Sequence, residues 1–288
     1  MTAACLPLGR RLADYLVRAD EVILARHLSE TAPPVPVDPG AKLRVGVDLG
    51  TAYLVLVVLD EAGIPLAGEW QFAQVVRDGL VVDFMGAVDL LRGMKTRVER
   101  RIGRGLTHAG TGYPPGVPPV EARAKMNVIE AAGMDCAGTI DEPTAANNVL
   151  LLREGAIVDV GGGTTGIAVV REGQVVYTAD EPTGGTHFSL VVAGSLNISF
   201  EEAEAIKVTR EEQPRLFPLV RPVMEKVASI IVRHVEGRDV RSIALVGGGS
   251  AFPGIAEVVQ GYTGIPTSVT GNPVFVTPLG MALQHAGR

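Results

Sequence analysis

Two short segments of the chain combine an aspartate, a glycine turn and a threonine. They are Asp48-Leu-Gly50-Thr51 and Asp159-Val-Gly161-Gly162-Gly163-Thr164. A turn built on glycine leaves backbone N–H groups uncovered, and several such donors together bind an anion such as phosphate. An aspartate beside a phosphate repels it unless a divalent cation such as Mg2+ bridges the two groups. The two segments together predict a metal–phosphate site, although each one alone also suits an ordinary hairpin turn with a capping aspartate.

A third glycine run is a further candidate for backbone contact with a ligand. Gly247, Gly248 and Gly249 follow an apolar segment that predicts a strand. The usual nucleotide motifs are absent from the sequence: it contains no GxxxxGK[ST], and residues 247–254 read GGGSAFPG instead of GxGxxG. There is no HExxH motif and the five histidines are scattered, which argues against a histidine metal centre.

The two aspartate turns occupy equivalent places in two similar runs of elements. Apolar, β-branched segments at 43–49 and 52–60 flank the first turn, and segments at 156–160 and 165–171 flank the second. Each pair predicts a hairpin that opens a three-stranded meander, and amphipathic helices follow in both halves. The repetition predicts a duplicated α/β fold with two lobes and a cleft between them.

Composition excludes several classes of protein. The 288 residues carry 26 Lys and Arg against 32 Asp and Glu, so that a nucleic-acid backbone is not expected as the main partner. Hydrophobic residues make up 47%, which is too many for a disordered chain, and the longest apolar run, Leu54 to Leu59, is far too short to span a membrane. With two cysteines and charged residues where a signal peptide needs an apolar core, we expect a cytoplasmic protein without a membrane partner.

The first forty residues differ from the rest. Leu12, Leu16, Ala19 and Ile23 form one apolar stripe, which predicts a helix over residues 9–29. Four prolines between residues 31 and 40 predict an extended linker that holds this helix away from the core. The stripe is expected to dock either on a partner, as targeting helices do, or back onto the first lobe of the same chain.

Five segments appear in the order found in the actin, sugar-kinase and heat-shock-chaperone superfamily. The segments 45–51 and 158–164 resemble its two phosphate loops, and 244–249 resembles its adenosine loop. The segments 141–146 and 276–280 resemble its two connecting helices. Trp70, residues 75–84, Tyr113-Pro-Pro-Gly116 and residues 179–185 are more narrowly similar to the ethanolamine-utilisation protein EutJ family.

The superfamily resemblance implies a two-lobed actin-like (ribonuclease H-like, duplicated) ATPase fold with minimal subdomain insertions. Its lobes would be residues 41–155 with the C-terminal helix 276–288, and residues 156–275. By resemblance, Asp48 and Asp159 hold Mg2+ through water, and Glu142 positions the attacking water. The resemblance places the phosphates of ATP or ADP at Gly50, Thr51, Gly161, Gly162, Gly163, Thr164, Thr165, Gly184 and Gly185. It places the nucleoside at Glu204, Lys207, Gly247, Gly248 and Gly249, although the spacing of Glu204 and Lys207 also suits a plain surface ion pair.

The function implied by this resemblance is that of a chaperone-like, Mg-ATP-binding ATPase. Its partners would be ethanolamine-utilisation enzymes or shell proteins of a bacterial microcompartment. The insertion that carries a catalytic lysine in the chaperones is missing after Asp83-Phe84, so no residue is expected to take that role and hydrolysis is expected to be slow. An actin-like scaffold that forms homo-oligomers or filaments is the alternative, and a small-metabolite kinase is a third possibility.

Overall fold

The computed structural model describes residues 8–77, 79–117 and 119–284 of the chain. In the N-terminal part and first lobe the elements are α1 (Leu8–Val22), β1 (Ile23–Ala25), α2 (Arg26–Ser29), β2 (Arg44–Leu49), β3 (Tyr53–Leu59), β4 (Pro65–Phe72), β5 (Val76–Arg77), β6 (Leu80–Val81), α3 (Phe84–Ile102), β7 (His108–Tyr113), α4 (Pro119–Ala131) and β8 (Asp135–Asp141). From the first connecting helix onward they are α5 (Glu142–Leu150), β9 (Gly155–Val160), β10 (Thr164–Arg171), β11 (Gln174–Pro182), α6 (Gly185–Leu196), α7 (Phe200–Lys207), α8 (Gln213–Val235), β12 (Ile243–Val246), α9 (Ile255–Thr263), β13 (Thr267–Val269) and α10 (Val276–Gln284).

Two sheets with the same topology form the centres of two lobes. The first has the order β1-β4-β3-β2-β7-β8 and the second β11-β10-β9-β12-β13. In both, an antiparallel meander (β2–β4 or β9–β11) is extended by two parallel strands, whose crossover connections contain helices. Apart from β1 the two sheets are arranged alike, which confirms the duplicated α/β fold predicted from the sequence.

Each lobe has its own apolar core, and a third core joins the lobes. This third cluster contains the face of β3 that points away from the first-lobe core, together with apolar residues of α1, α5, β9 and α10. Helices α5 and α10 cross where Gly280 faces Ala145, and a Cβ at residue 280 would overlap the Ala145 carbonyl oxygen. Gly46 of β2 similarly lies against the Pro278 carbonyl oxygen. Glycine is therefore required for the close approach of these backbones.

The N-terminal segment differs from the prediction made for it. The helix ends at Val22 instead of residue 29, because Ile23–Ala25 pairs as a parallel strand with Gly68–Trp70 of β4. Gly68 leaves the space that Ile23 needs, since a Cβ there would lie 2.9 Å from Ile23 Cγ1. The apolar stripe docks on the chain's own lobe, where Leu16, Ala19 and Ile23 are buried in the third core.

The prediction that the linker holds this segment away from the core is wrong. The backbone N–H groups of Val35 and Val37 donate to the carbonyl oxygens of Arg101 and Ile102, so the linker runs along the end of α3. The Arg101 guanidinium in turn donates to the Val22 carbonyl oxygen at 2.6 Å. Residues 285–288 of the predicted C-terminal helix lie outside the described residues.

Shortening Leu16 should therefore destabilise the whole chain. Leu16 is 2% exposed, and Leu16→Ala should lower the free energy of unfolding by about 2–5 kcal/mol in urea titrations. Val17 is 56% exposed on the other side of α1, and Val17→Ala should change it by less than about 0.5 kcal/mol. Equal effects of the two substitutions would contradict the docking of α1 on this lobe.

The crossing of α5 and α10 gives a second prediction. Gly280→Ala places a Cβ against backbone that cannot turn aside, so we expect a loss of about 1–3 kcal/mol or more in unfolding free energy. At Gly261 in α9, no atom of the described residues outside the helix's own backbone lies within 4 Å of the position of an added Cβ. Gly261→Ala should therefore be neutral or stabilising by up to about 1 kcal/mol, because alanine favours a helix over glycine. A Gly280→Ala variant as stable as Gly261→Ala would show that the helices do not pack this closely.

Candidate functional site

The two aspartate turns meet across the cleft between the lobes. Both are closed by the same hydrogen bond: the Gly50 N–H donates to the Tyr53 carbonyl oxygen at 3.1 Å, and the Gly161 N–H donates to that of Thr164 at 3.0 Å. A Cβ on Gly162 would lie 3.1 Å from the Cβ of Thr51. The structure thus brings together the two turns that the sequence singled out, in contact with each other.

Asp48 and Asp159 are the fifth residues of β2 and β9, the first strands of the two meanders. Asp159 is 8% exposed, and its Oδ2 accepts a hydrogen bond from Thr277 Oγ1 of α10 at 2.7 Å. Burial, and to a smaller extent the charge of Glu142, raise the pKa of Asp159 to about 8. Burial and then Glu142 likewise raise the pKa of Asp48 to about 7. These carboxyl groups are close enough to oppose one another's ionisation.

Glu142 is the first residue of α5. The helix begins there because Asp141 caps it, accepting a hydrogen bond from the Thr144 N–H at 3.0 Å. Glu142 Oε1 pairs with the ammonium of Lys125 at 3.3 Å. Lys125, which projects from α4, was not predicted from the sequence. The available signal was its position on one helical stripe with Val128, Ile129 and Ala132, all of them buried.

A further carboxyl group, Asp180 of β11, was also missed. It pairs with Gly166 in the β10–β11 ladder, and one of its carboxylate oxygens is buried without a hydrogen-bond partner in the described part of the chain. Burial raises the pKa of Asp180 to about 7; a hydrogen bond with Thr164 opposes this, and Glu142 adds to it. Asp180 lies in the family-like segment 179–185, but nothing in that segment marks it as a site residue, because its closeness to the site arises from strand pairing.

Glu204 is buried and Lys207 is partly buried, which argues against the plain surface ion pair. Their carboxylate and ammonium lie 2.6 Å apart, and Ser189 Oγ also donates to Glu204 Oε2, at 2.5 Å. Lys207 Nζ donates to the Gly185 carbonyl oxygen at 3.1 Å, and the Tyr53 hydroxyl of the other lobe donates to Glu204 Oε1 at 3.1 Å. The pair therefore belongs to a polar network that crosses the cleft.

The third glycine run lies against the second turn. Gly247 has a φ of +83°, and a Cβ there would overlap Asp159 Oδ1. A Cβ on Gly249 would lie 2.6 Å from Val160 Cγ1. At both positions a side chain would clash with β9. Only glycine therefore allows the backbone at the end of β12 to lie next to the Asp159 strand.

Most of these residues line one cleft of about 550 Å³, although Asp180 and Ser189 are not among the lining residues. Of the predicted site residues, the lining includes Asp48, Gly50, Thr51, Glu142, Asp159, Gly161, Gly162, Gly163, Thr164, Gly185, Glu204, Lys207, Gly247, Gly248 and Gly249. Thr165 and Gly184 are outside it. Thr165 follows Thr164 in a strand, so its side chain lies on the opposite face, where it donates to the Thr183 carbonyl oxygen at 2.7 Å. Leu24 and Leu28 of the N-terminal segment form part of the wall, which the sequence analysis did not foresee.

The donor set fits a cation held through water better than one held directly. Within the described ranges, no three His, Cys, Asp or Glu side chains come together as a direct coordination sphere. Asp48 and Asp159 are instead two mutually repelling carboxyl groups beside backbone turns, an arrangement that suits Mg2+ because this ion keeps several of its waters.

None of the helices in the described part of the chain combines the length and apolarity needed to cross a bilayer.

A duplicated two-lobed α/β fold with facing glycine turns defines the class of actin-like ATPase folds. A family model described as MreB/Mbl protein matches residues 67–213, and one described as Cell division protein FtsA matches residues 156–280. The crystal structure of MreB 5 of Spiroplasma citri bound to AMPPNP has a TM-score of 0.66 over 84% of this chain and 95% of that one. Its sequence is 17% identical, so this likeness concerns the fold alone.

Within that class, the chain belongs to the ethanolamine utilization protein EutJ family. It is 43% identical to the ethanolamine utilization protein EutJ of Escherichia coli (strain K12), over 93% of this chain and 96% of that protein. The crystal structure of EutJ from Carboxydothermus hydrogenoformans is 42% identical and has a TM-score of 0.87, covering 96% of this chain and 99% of the other. The fold class and the family expected from the sequence are thus both confirmed.

The raised pKa of Asp180 predicts a pH-dependent stability. Between its ordinary value near 4 and about 7, the folded chain keeps a proton that the unfolded chain loses, so raising the pH across this range lowers the unfolding free energy. The slope reaches at most about 1.4 kcal/mol per pH unit for one group. Asp180→Asn should remove this contribution. The unfolding free energy of the variant, measured relative to that of the parent chain, should therefore increase as the pH is raised from 5 to 8.

Asp239→Asn is the matched control. The carboxylate of Asp239 is exposed and paired with Arg241, which lowers its pKa, so the substitution should leave the pH dependence between pH 5 and pH 8 unchanged. Urea unfolding at several pH values gives the measurement. If Asp180→Asn and the parent chain follow parallel curves, Asp180 is ionised in the folded protein and the electrostatic picture of the cleft is wrong.

Proposed function

We propose that the chain binds Mg-ATP and Mg-ADP in the cleft and hydrolyses ATP slowly. The observation that carries this proposal is the contact of the two glycine turns, with a buried or partly buried aspartate at the strand end beside each. Phosphates would be bound by backbone N–H groups of Gly50, Thr51 and residues 161–164. Glu204, Lys207 and the backbone at 247–249 would contact the nucleoside.

Relatives support nucleotide as the ligand. MreB 5 of Spiroplasma citri, which shares the fold, has been solved bound to AMPPNP and bound to ADP. In this chain the glycine turns, the carboxyl groups and the Glu204–Lys207 pair all line the cleft. A nucleoside polyphosphate offers matching groups, an anionic phosphate chain and a polar, aromatic nucleoside.

Asp48 and Asp159 would hold Mg2+ through its waters. The metal would supply positive charge between these carboxyl groups and the phosphate oxygens. The protein's contribution is to hold both carboxyl groups in place: Thr277 fixes Asp159, and the ladder between β2 and β3 fixes Asp48. A cation at this place would favour the ionised form of both carboxyl groups, whose pKa values are raised first by burial and then by Glu142.

Glu142 is the proposed general base. Its carboxylate stands at the start of α5, where the helix dipole favours negative charge, and it lines the cleft. It would orient a water molecule toward the terminal phosphate and accept its proton during in-line attack. The phosphoryl group is transferred to that water, so ADP and inorganic phosphate are the products.

Membership of the family supports a proposal about the wider role of this activity. Relatives with about 42–43% identity carry the name ethanolamine utilization protein EutJ. We propose that the chain serves the assembly or maintenance of ethanolamine-utilisation enzymes or of microcompartment shell proteins in the cytoplasm.

The matches to the MreB/Mbl and FtsA models favour a second candidate, a nucleotide-gated actin-like scaffold without significant hydrolysis. Nucleotide-dependent sedimentation of filaments would separate the second candidate from the first.

Calorimetric titration tests the binding step. We expect saturable, one-to-one binding of ATP and of ADP in the presence of Mg2+, and clearly weaker binding when the metal is removed by a chelator. Phosphate release without an added acceptor distinguishes an ATPase from a small-metabolite kinase. A chain that binds neither nucleotide with Mg2+ present would contradict the proposal.

The role of Glu142 is tested by Glu142→Gln, which removes the charge but keeps the shape. Phosphate release should fall by roughly 10²–10⁴-fold, the usual contribution of a general base, while ATP affinity should change little. Glu202→Gln is the control, because Glu202 is an exposed capping residue of α7. Equal turnover by the parent and Glu142→Gln would leave Glu142 as a helix-terminal carboxylate without a catalytic role.

A further inference from the structure

Lys125 is an unusual residue for its position. It belongs to α4 and points inward with Val128 and Ile129, so that 2% of the residue is exposed. A lysine in such surroundings normally keeps its ammonium in water, because removing the charge from water is unfavourable unless partners compensate it. Its ammonium nevertheless lies at the wall of the cleft, beside Glu142.

The hydrogen-bonding capacity of this ammonium is only partly used. Lys125 Nζ carries three N–H donors, and in the described part of the chain one acceptor is within reach, Glu142 Oε1 at 3.3 Å. A buried donor without an acceptor is destabilising, so the two remaining N–H groups favour an acceptor-rich ligand in the cleft.

The charges around Lys125 point the same way. Lys125 lowers the pKa of Asp48 and of Asp180, so its charge is felt at both carboxyl groups as well as at Glu142. The cation therefore stands at the end of the cleft where the aspartate turns lie. A phosphate oxygen is the ligand atom that suits a compact point charge at this place.

We infer that Lys125 is a phosphate-binding residue of the cleft, which pairs with Glu142 when no nucleotide is bound and donates to the terminal phosphate of a bound nucleoside triphosphate. The inference rests on the proposed function and adds to it the cation that the sequence did not reveal. In the reaction, this ammonium stabilises the charge that spreads over the oxygens of the transferred phosphoryl group. Its release from Glu142 also leaves that carboxylate free to accept a proton from water.

Comparison of ATP with ADP tests this contact, since only ATP carries the terminal phosphate. Lys125→Met keeps the length of the side chain but removes the charge. With Mg2+ present, calorimetry should show ATP affinity reduced at least about tenfold, the effect of one hydrogen bond to a charged group, and ADP affinity nearly unchanged. Lys125→Arg keeps the charge and should recover part of the preference for ATP.

Lys95→Met is the matched control. Lys95 forms an ion pair with Glu99 on α3, at 3.0 Å, and neither residue lines the cleft. This variant should bind both nucleotides as the parent chain does. If Lys125→Met fails to fold because Glu142 loses its partner, the double variant Lys125→Met/Glu142→Gln removes the unpaired charge, and the same loss of ATP over ADP is expected.

Two results would overturn the inference in different ways. If the parent chain binds ATP and the folded Lys125 variants bind ATP and ADP with unchanged or equally reduced affinity, Lys125 is a structural partner of Glu142, while the proposed function stands. If the parent chain binds neither nucleotide with Mg2+ present, the proposed function is wrong and the inference falls with it.

Discussion

The close crossing of α5 and α10 is the contact on which the arrangement of the site depends. Because Gly280 lets the Ala145 backbone approach directly, the two connecting helices hold the lobes at a short, fixed separation. Glu142 starts one of these helices, and Thr277 of the other holds Asp159. The groups proposed to carry out the chemistry are thus attached to the elements that join the lobes, so a change in the angle between lobes alters the site directly.

The electrostatics of the cleft follow from this geometry. Four carboxyl groups, Asp48, Glu142, Asp159 and Asp180, are brought near one another. The ammonium of Lys125 pairs with Glu142 and lowers the pKa values of Asp48 and Asp180. Such a cluster is unfavourable when all its members are ionised, and it becomes favourable when a cation enters. Positive charge would therefore stabilise this cluster, which agrees with the proposed metal–nucleotide ligand.

The sequence revealed those parts of the site that are encoded locally. The aspartate–glycine turns and the duplicated meanders are patterns of a few neighbouring residues, and both were predicted correctly. Lys125, Asp180 and β1 were missed because each reaches its place through long-range packing: a helix stripe beneath the sheet, a strand register, and pairing across Gly68. The same limit explains Thr165, since a motif carried over as a continuous run ignores the alternation of side chains along a strand.

The third core also has a consequence for the order of folding. It combines segments that are far apart in sequence, since Leu16 and Ala19 of α1 lie in the same cluster as Leu279 and Ala282 of α10. The members of each lobe core are much closer together along the chain. Because contacts between distant residues carry the larger loop-closure cost, we expect the third core to form after the two lobe cores.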